Sequence, residues 1–189
     1  MGITINSVWT VTDEDLLKLS ERNPGYQFER TQKGELVVTP TGAERGRVSS
    51  EVHTQLSLWN RGVKSGVVFD SSTGFRLSDG SVLSPDASWV KKERWNALTP
   101  KERQGFGPFC PDAVFEILSV SQSLEELQKK MLVYLSNGAR IGVLIDPFQR
   151  SVEIYRPNQK PQLIIKPTSV DLGPELSGFI LNLIYVFES

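Results

Sequence analysis

Apolar residues recur at helical spacing in two long segments of the chain. Residues 43–61 carry apolar side chains three or four positions apart, which is typical of a helix with one buried face. Residues 124–137 show the same spacing, with Ser123 before them and Asn137-Gly138 at their end as helix boundary signals. A shorter helix is predicted after Thr12, because an acidic run there precedes three leucines.

Short apolar runs outside these helices predict strands. The runs 26–30 and 35–39 flank Thr31-Gln32-Lys33-Gly34, which is typical of a hairpin. A strand at 113–118, a helix and a strand at 141–145 follow one another, which favours parallel pairing of those two strands. Further strands are predicted at residues 67–77, 82–90, 152–155 and 163–165. The predicted class is α/β, with a mixed central sheet flanked by helices.

Charge and cysteine content limit the classes of protein and the cell compartments that fit this sequence. The 189 residues include 21 Lys and Arg against 22 Asp and Glu. A protein with a large nucleic-acid-binding surface usually has an overall excess of basic residues, and this chain has none. A local basic groove is still compatible with this charge balance. One cysteine, Cys110, excludes an internal disulfide and fits a reducing compartment. Residues 1–9 lack the pattern of a secretory signal, and the most apolar segment, 179–187, is too short to span a bilayer. We expect a cytoplasmic protein with no membrane partner.

Two acidic residues interrupt strongly hydrophobic segments. Asp86 lies in Ser-Pro-Asp-Ala-Ser-Trp-Val, and Glu116 lies in Pro-Asp-Ala-Val-Phe-Glu-Ile-Leu-Ser. An ionised carboxylate is costly to bury unless a partner compensates it. Hard divalent cations such as Mg²⁺ prefer carboxylate oxygens. If the two strands are neighbours, Asp86 and Glu116 could bind one ion together.

Other residues are candidates for the same site. Lys130 lies beside the buried stripe of the 124–137 helix, where it could orient a water or stabilise an anion; a solvated lysine is the equal alternative. Lys129 lies further round towards solvent. Glu51 adjoins the core stripe of the 43–61 helix and is a candidate metal ligand, against the alternative of an exposed salt-bridging residue.

The polar connection at 91–105 carries five basic side chains. They could contact phosphate near the acidic pair, or they could form a solvated surface with the two glutamates among them. The basic residues are Lys91, Lys92, Arg94, Lys101 and Arg103.

The order of the candidate residues resembles that of a known group of enzymes. Pro85-Asp86, then Glu116-Ile117-Leu118, then a helix bearing Lys130, resembles the PD-(D/E)XK nuclease superfamily. Nearly the whole chain is similar to the small bacterial Uma-two family, often labelled putative restriction endonucleases. The segments that carry this similarity are 40–42, 69–75, 84–90, 111–119, 130–134, 138–147 and 152–156.

The resemblance implies a single restriction-endonuclease-like domain over residues 1–189, with an N-terminal helix and hairpin. It also implies hydrolysis of phosphodiester bonds in nucleic acid, with DNA as the expected substrate and Mg²⁺ or Mn²⁺ as cofactor. Asp86 and Glu116 match the metal-binding acids, and Glu51 matches the acid of the first core helix. Lys130 matches a lysine that has moved from the strand to the helix. Related nucleases often act as dimers, so a homodimer is one option.

One position departs from the superfamily pattern. Leu118 stands two residues after Glu116, where the simplest form of the motif has lysine. Either Lys130 replaces that lysine, or the chemistry is impaired and the protein binds nucleic acid or a protein partner without cutting. A third alternative is a structural dimer module with residues 179–187 at its interface.

Overall fold

The computed structural model describes residues 3–5 and 10–188, and within them the chain forms five α-helices. They are α1 (Asp13–Arg22), α2 (Ala43–Val63), α3 (Lys92–Asn96), α4 (Leu124–Ser136) and α5 (Ile184–Phe187). A 3-10 turn covers Glu102–Gln104. The three helices expected from sequence spacing are confirmed to within two residues. The expectation of no leader over residues 1–9 falls largely outside the described residues.

Thirteen strands are present in the same described residues. They are β1 (Ile3–Ile5), β2 (Tyr26–Arg30), β3 (Leu36–Pro40), β4 (Gly66–Asp70), β5 (Phe75–Arg76), β6 (Val82–Leu83), β7 (Ala87–Lys91), β8 (Ala113–Ile117), β9 (Ile141–Asp146), β10 (Ser151–Tyr155), β11 (Gln162–Ile165), β12 (Ser169–Asp171) and β13 (Ile180–Asn182).

The strands form a main sheet and two smaller ones. The main sheet has the order β11-β10-β9-β8-β7-β4, the second has the order β1-β3-β2-β6-β5, and β12 pairs with β13. Within the main sheet β8 and β9 are parallel, with α4 between them in sequence, and the other neighbours are antiparallel. The mixed α/β class predicted from the sequence is confirmed.

Helix α4 has strong local reasons to form where it does. The Ser123 side chain accepts the Glu126 N–H, and the Glu126 carboxylate accepts the Ser123 N–H, so two N–H groups at the helix start are satisfied. The chain leaves the helix at Asn137, and Gly138 follows with a φ of 102°, a conformation that favours glycine. The buried face of α4 consists of Leu127, Met131 and Tyr134.

Side chains of β8 alternate between two apolar cores. Ala113, Phe115 and Ile117 pack with the buried face of α2 and the C-terminal segment. Val114 packs on the opposite face of the sheet with the apolar residues of α4. Glu116 therefore shares the α4 face, as strand alternation predicts.

Two predicted strands are each divided between sheets, which corrects the sequence-based boundaries. The predicted strand 67–77 consists of β4 in the main sheet and β5 in the second sheet, and 82–90 consists of β6 and β7. The chain leaves the main sheet after β4 and returns at residues 84–86, where Pro85 has no N–H for a strand ladder. Asp86 therefore lies just before β7, at the seam between the two sheets, rather than inside a strand.

The C-terminal apolar segment packs mainly against its own domain. Leu181, Leu183 and Val186 are buried in the core beside α2, while Ile180 and Ile184 are exposed. Most of the apolar surface assigned to a dimer interface in the third alternative is thus internal. Across the described residues no helix combines the length and apolarity that crossing a bilayer requires.

Candidate active site

Antiparallel pairing of β7 and β8 brings the two predicted acids together. Ala87 lies opposite Phe115, so Asp86 lies opposite Glu116, and the Asp86 N–H donates to the Phe115 carbonyl at 2.9 Å. Asp86 is 1% exposed and Glu116 is fully buried. The sequence argument required the two segments that carry these acids to be neighbours in the sheet. The structure places them side by side.

Helix α4 contributes two side chains to the Glu116 carboxylate. Lys130 Nζ lies 2.7 Å from Glu116 Oε1, and the Tyr134 hydroxyl donates to the same oxygen at 2.9 Å. The two residues are four apart and so share one face of the helix. Lys129, by contrast, is exposed and pairs with Glu125 at 2.7 Å. Lys130 is therefore a buried member of the acidic cluster and not a solvated helix lysine.

The structure adds Glu29 and Arg45, which the sequence argument missed. Glu29 on β2 lies 2.9 Å from Lys130 Nζ and accepts the Ser84 N–H at 2.6 Å. The Arg45 Nε on α2 donates to Asp86 Oδ1 at 2.8 Å. The sequence did contain a signal for Arg45. This residue lies three positions before Val48 and so continues the buried stripe of α2. Nothing comparable distinguished Glu29 from other strand glutamates.

Asp86 is fixed by main-chain groups as well. Its second oxygen, Oδ2, accepts the Ile117 N–H at 2.8 Å, and the Ser49 hydroxyl donates to its carbonyl at 2.9 Å. These bonds hold the carboxylate in one orientation at the end of β8. We name the set Glu29, Arg45, Asp86, Glu116, Lys130 and Tyr134 the buried charge cluster.

Burial shapes the ionisation of this cluster. Burial raises the pKa of Glu116 to about 7; Lys130 counteracts this effect, whereas Asp86 and Glu29 add to it. Burial also raises the pKa of Asp86, against the attraction of Arg45. For Arg45 and Lys130, burial lowers the pKa but the adjacent carboxylates outweigh it and leave both raised. Both bases therefore stay charged at neutral pH.

Tyr134 stays protonated for the same reasons. Burial, and then the charges of Glu116 and Glu29, hold the pKa of its hydroxyl well above the usual value. The hydroxyl is therefore a permanent hydrogen-bond donor to Glu116.

The acidic pair fits a hard divalent cation by its donor chemistry. Glu116 Oε2 is buried and has no hydrogen-bond partner among the described residues; Arg45 Nη2 lies 3.9 Å from it. Mg²⁺ is typically held by one or two carboxylates together with waters and substrate oxygens. Within the described ranges no group of three or more His, Cys, Asp or Glu side chains is arranged to hold a metal. A two-carboxylate site at Asp86 and Glu116 is the arrangement that these residues support.

Glu51 is not brought to the cluster. Its Oε1 accepts a hydrogen bond from Gln55 at 2.8 Å, and Gln55 in turn bonds to the main chain of Asn182. Because each helical residue turns by about 100°, a residue six positions after Arg45 lies on a different side of α2. Its contacts do not support the predicted role of Glu51 as a metal ligand.

The basic connection starts away from the buried charge cluster. It begins at Lys91, five residues along β7 from Asp86, which corresponds to roughly 16 Å at the usual rise of a strand. Arg94 pairs with Asp112 at 3.0 Å, and the Arg103 guanidinium lies over the Trp95 ring. Of the two alternatives that the sequence left open, these contacts favour a solvated surface over a phosphate-contacting patch.

Two cavities flank the buried charge cluster. One, of about 410 Å³, lies between the second sheet and α4 and is lined by Glu29 and Lys130 among others. Another, of about 400 Å³, lies at the start of α2 and is lined by Arg45, Leu118 and Phe148 among others. Leu118 is half-buried and packs against the apolar core on the α4 face.

Comparison with known proteins extends this picture. A family model named Uma2 and described as "Putative restriction endonuclease" matches residues 13–183. The crystal structure of a putative nuclease belonging to DUF820 from Anabaena variabilis ATCC 29413 superimposes with a TM-score of 0.76 at 24% identity, over 94% of this chain and 97% of that chain. This similarity confirms the fold.

A weaker similarity is to the DrdV–DNA complex, determined by cryo-electron microscopy. Its TM-score is 0.39 at 14% identity, over 77% of this chain and 14% of that chain, and so weak a superposition supports no conclusion on function. No curated protein matches the sequence.

Proposed function

The chain belongs to the Uma2 (Uma-two) family of putative restriction endonucleases, and from this premise we propose that it is a divalent-metal-dependent nuclease that hydrolyses phosphodiester bonds in DNA. The observation that carries the proposal is the contact between Lys130 and Glu116 at 2.7 Å, beside Asp86, which directly precedes the neighbouring strand β7. Two acids and one ammonium group meet there in a buried site. Mg²⁺ or Mn²⁺ as the ion, a homodimer and a cytoplasmic location remain predictions from the sequence.

In this proposal Asp86 and Glu116 would hold the metal through their carboxylate oxygens. Such an ion lowers the pKa of a bound water and neutralises charge that develops on a phosphate. The Ile117 N–H keeps the Asp86 carboxylate in place, and the Tyr134 hydroxyl does the same for Glu116. Both carboxylates are thus held in fixed orientations, and much of the catalytic benefit of a polar site arises from such preorganisation.

Lys130 would act as a hydrogen-bond donor and not as a base. Its pKa is raised, because the carboxylates of Glu116 and Glu29 outweigh the effect of burial, so its amine carries a proton throughout the neutral range. A charged ammonium can orient an attacking water through the oxygen and can stabilise the charge of the transition state. It cannot accept the proton of that water.

This role explains why Leu118 is compatible with activity. The side chain at position 118 packs in an apolar core, while Lys130 reaches Glu116 from α4. In the proposal the ammonium group is supplied by the helix instead of the strand. Impaired chemistry at Leu118 is therefore the less supported of the two alternatives.

The test is cleavage of supercoiled, linear and single-stranded DNA, and of RNA, by the full chain with Mg²⁺, Mn²⁺ or a chelator. We expect cleavage with metal only, and its loss in Asp86→Asn and Lys130→Met. Lys129→Met is the matched control, because that residue is adjacent in sequence but exposed. Circular dichroism shows whether each variant is folded. If the wild-type protein cuts none of these substrates with either ion, the nuclease proposal is wrong.

One observation favours a second candidate, a nuclease fold that binds nucleic acid without cutting it. Arg45 contacts Asp86 and lies near Glu116, so the protein supplies its own positive charge to both acids. A site neutralised in this way could have a purely structural role. Binding of DNA in the presence of Mg²⁺, with no cleavage and no metal uptake, would support this candidate.

A further inference from the structure

Arg45 lies beside both of the acids that would hold a metal ion. Its Nε lies 2.8 Å from Asp86 Oδ1, and its Nη2 lies 3.9 Å from Glu116 Oε2. One planar cation therefore faces both carboxylates. The side chain of Arg45 is 1% exposed, so little water takes part in this arrangement.

The guanidinium is held by charge more than by hydrogen bonds. Only Nε has a hydrogen-bond partner; Nη1 and Nη2 have none among the described residues. A guanidinium has five N–H donors, so most of its donors are unused here. Buried donors without partners destabilise a structure, which lowers the cost of moving this group elsewhere.

A charge count points in the same direction. Glu29, Asp86 and Glu116 contribute three negative charges when ionised, and Arg45 and Lys130 contribute two positive ones, so the cluster has a net charge of −1. Adding a divalent ion to the intact cluster would give +1 in a site nearly closed to water. If the Arg45 guanidinium left as the ion entered, the net charge would be 0. Exchange of one cation for the other is therefore electrostatically favoured over addition.

We propose that Arg45 is the resident counter-ion of the site, and that a divalent ion binds Asp86 and Glu116 only when the guanidinium withdraws from them. This inference rests on the proposed function for the identity of the metal site. The cavity of about 400 Å³ at the start of α2, which Arg45 lines, offers space for the displaced side chain. Arg45 is then a positioning residue, because its guanidinium compensates the charge of the two acids until the metal arrives.

The first experiment measures Mn²⁺ binding by calorimetry at pH 7.5 and low salt, without nucleic acid. We expect Arg45→Gln to bind Mn²⁺ at least tenfold more tightly than the wild type, because the competing charge is gone. Arg47→Gln is the matched control: Arg47 lies on the same helix but is exposed and pairs with Glu44, and we expect its affinity to stay within about twofold of wild type.

The outcomes separate this inference from the proposed function. Equal or weaker binding by a folded Arg45→Gln, with a wild type that binds, overturns the role of Arg45 and leaves the metal site intact. Absence of binding in both proteins contradicts the metal site itself, and the inference is then wrong with it.

A second experiment measures metal binding on the wild-type protein and uses a variant only to assign one signal. The Arg45 Nε–H, hydrogen-bonded to Asp86, gives an arginine side-chain NMR signal that Arg45→Lys would identify by its loss. We expect saturation with diamagnetic Mg²⁺ to shift this signal strongly or remove it. An unchanged signal at saturating Mg²⁺ would mean that metal and guanidinium bind side by side, and would contradict the proposal.

Discussion

Strands β7 and β8 carry an acid–arginine pair at each end, and the two pairs differ sharply. At one end Asp112 accepts the Lys91 N–H at 2.9 Å and pairs with Arg94, whose side chain is 36% exposed. At the other end Asp86 accepts the Ile117 N–H and pairs with Arg45. Both acids thus use one main-chain N–H and one guanidinium.

What differs is the surroundings of each pair. The Asp112 pair lies at the rim of the sheet and involves one acid and one base. The Asp86 pair belongs to the buried charge cluster, in which three acids share two bases and Glu116 Oε2 has no hydrogen-bond partner among the described residues. A buried group of this kind is weak evidence for stability, since apolar residues often replace it without loss. The comparison indicates that the buried cluster, and not the rim pair, is the candidate for a function.

The largest expected effect is on the free energy of unfolding. It is found by comparing a variant that lacks the lysine of the buried charge cluster with a variant that lacks the arginine of the rim pair. Lys130→Met leaves Glu116 and Glu29 without their shared cation, and we expect the free energy of unfolding to fall by about 3–5 kcal/mol at pH 8. Arg94→Met at the rim should cost about 1 kcal/mol or less. Urea denaturation of the two variants measures both values. Equal losses would remove the distinction between the two ends.

A smaller effect is expected from pH. Because burial raises the folded-state pKa of Glu116 from 4.5 to about 7, the folded protein holds that proton more tightly than the unfolded chain does. The stability that this bound proton contributes is fully present below pH 4.5 and is lost as the pH rises through about 7. Asp86, Glu29, Lys130 and Arg45 are the charged groups that face Glu116 and fix this shift.

Denaturation midpoints between pH 4.5 and 8 check this prediction. We expect Glu116→Gln to lose this component of the pH dependence, whereas Asp112→Asn should keep it. The affinity for Mn²⁺ should rise over the same range, because the metal must displace the Glu116 proton. A wild-type curve identical to that of Glu116→Gln would contradict the raised pKa.

The smallest effect is expected at Lys129, one residue from the cluster in sequence. Its ammonium is exposed and pairs only with Glu125, four residues earlier. Lys129→Met should leave the denaturation midpoint, Mn²⁺ affinity and cleavage unchanged. An effect comparable to that of Lys130→Met would show that positive charge on α4, and not burial in the cluster, determines stability, Mn²⁺ affinity and cleavage.

Much of this molecule follows from local sequence pattern. The capping residues Thr12 and Ser123 set the starts of α1 and α4, and strand alternation places Glu116 on the same face of β8 as Val114. The same reasoning singled out Asp86 and Lys130 as site residues. These features depend on residues within a few positions of one another, whose spacing is visible in the chain itself.

Other features depend on how the sheets pack. Arg45 and Asp86 are 41 positions apart, and Glu29 meets Ser84 across 55 positions. Crossing from one sheet to the other at residues 84–86 interrupted a strand that appeared continuous in sequence. Glu51 is bonded to Gln55 and not to the acids, because the position of α2 against the sheet decides which of its side chains reach them.

The sequence by itself determined the three longest helices, most strands of the main sheet, the class of fold and the two acids with their lysine as candidates, since each has a local periodic or motif signal. Only the tertiary structure decided that Glu29 and Arg45 complete the cluster. Their roles arise from contacts between distant segments, and no local spacing encodes such contacts. The charge balance of the buried site could therefore be read only from the folded chain.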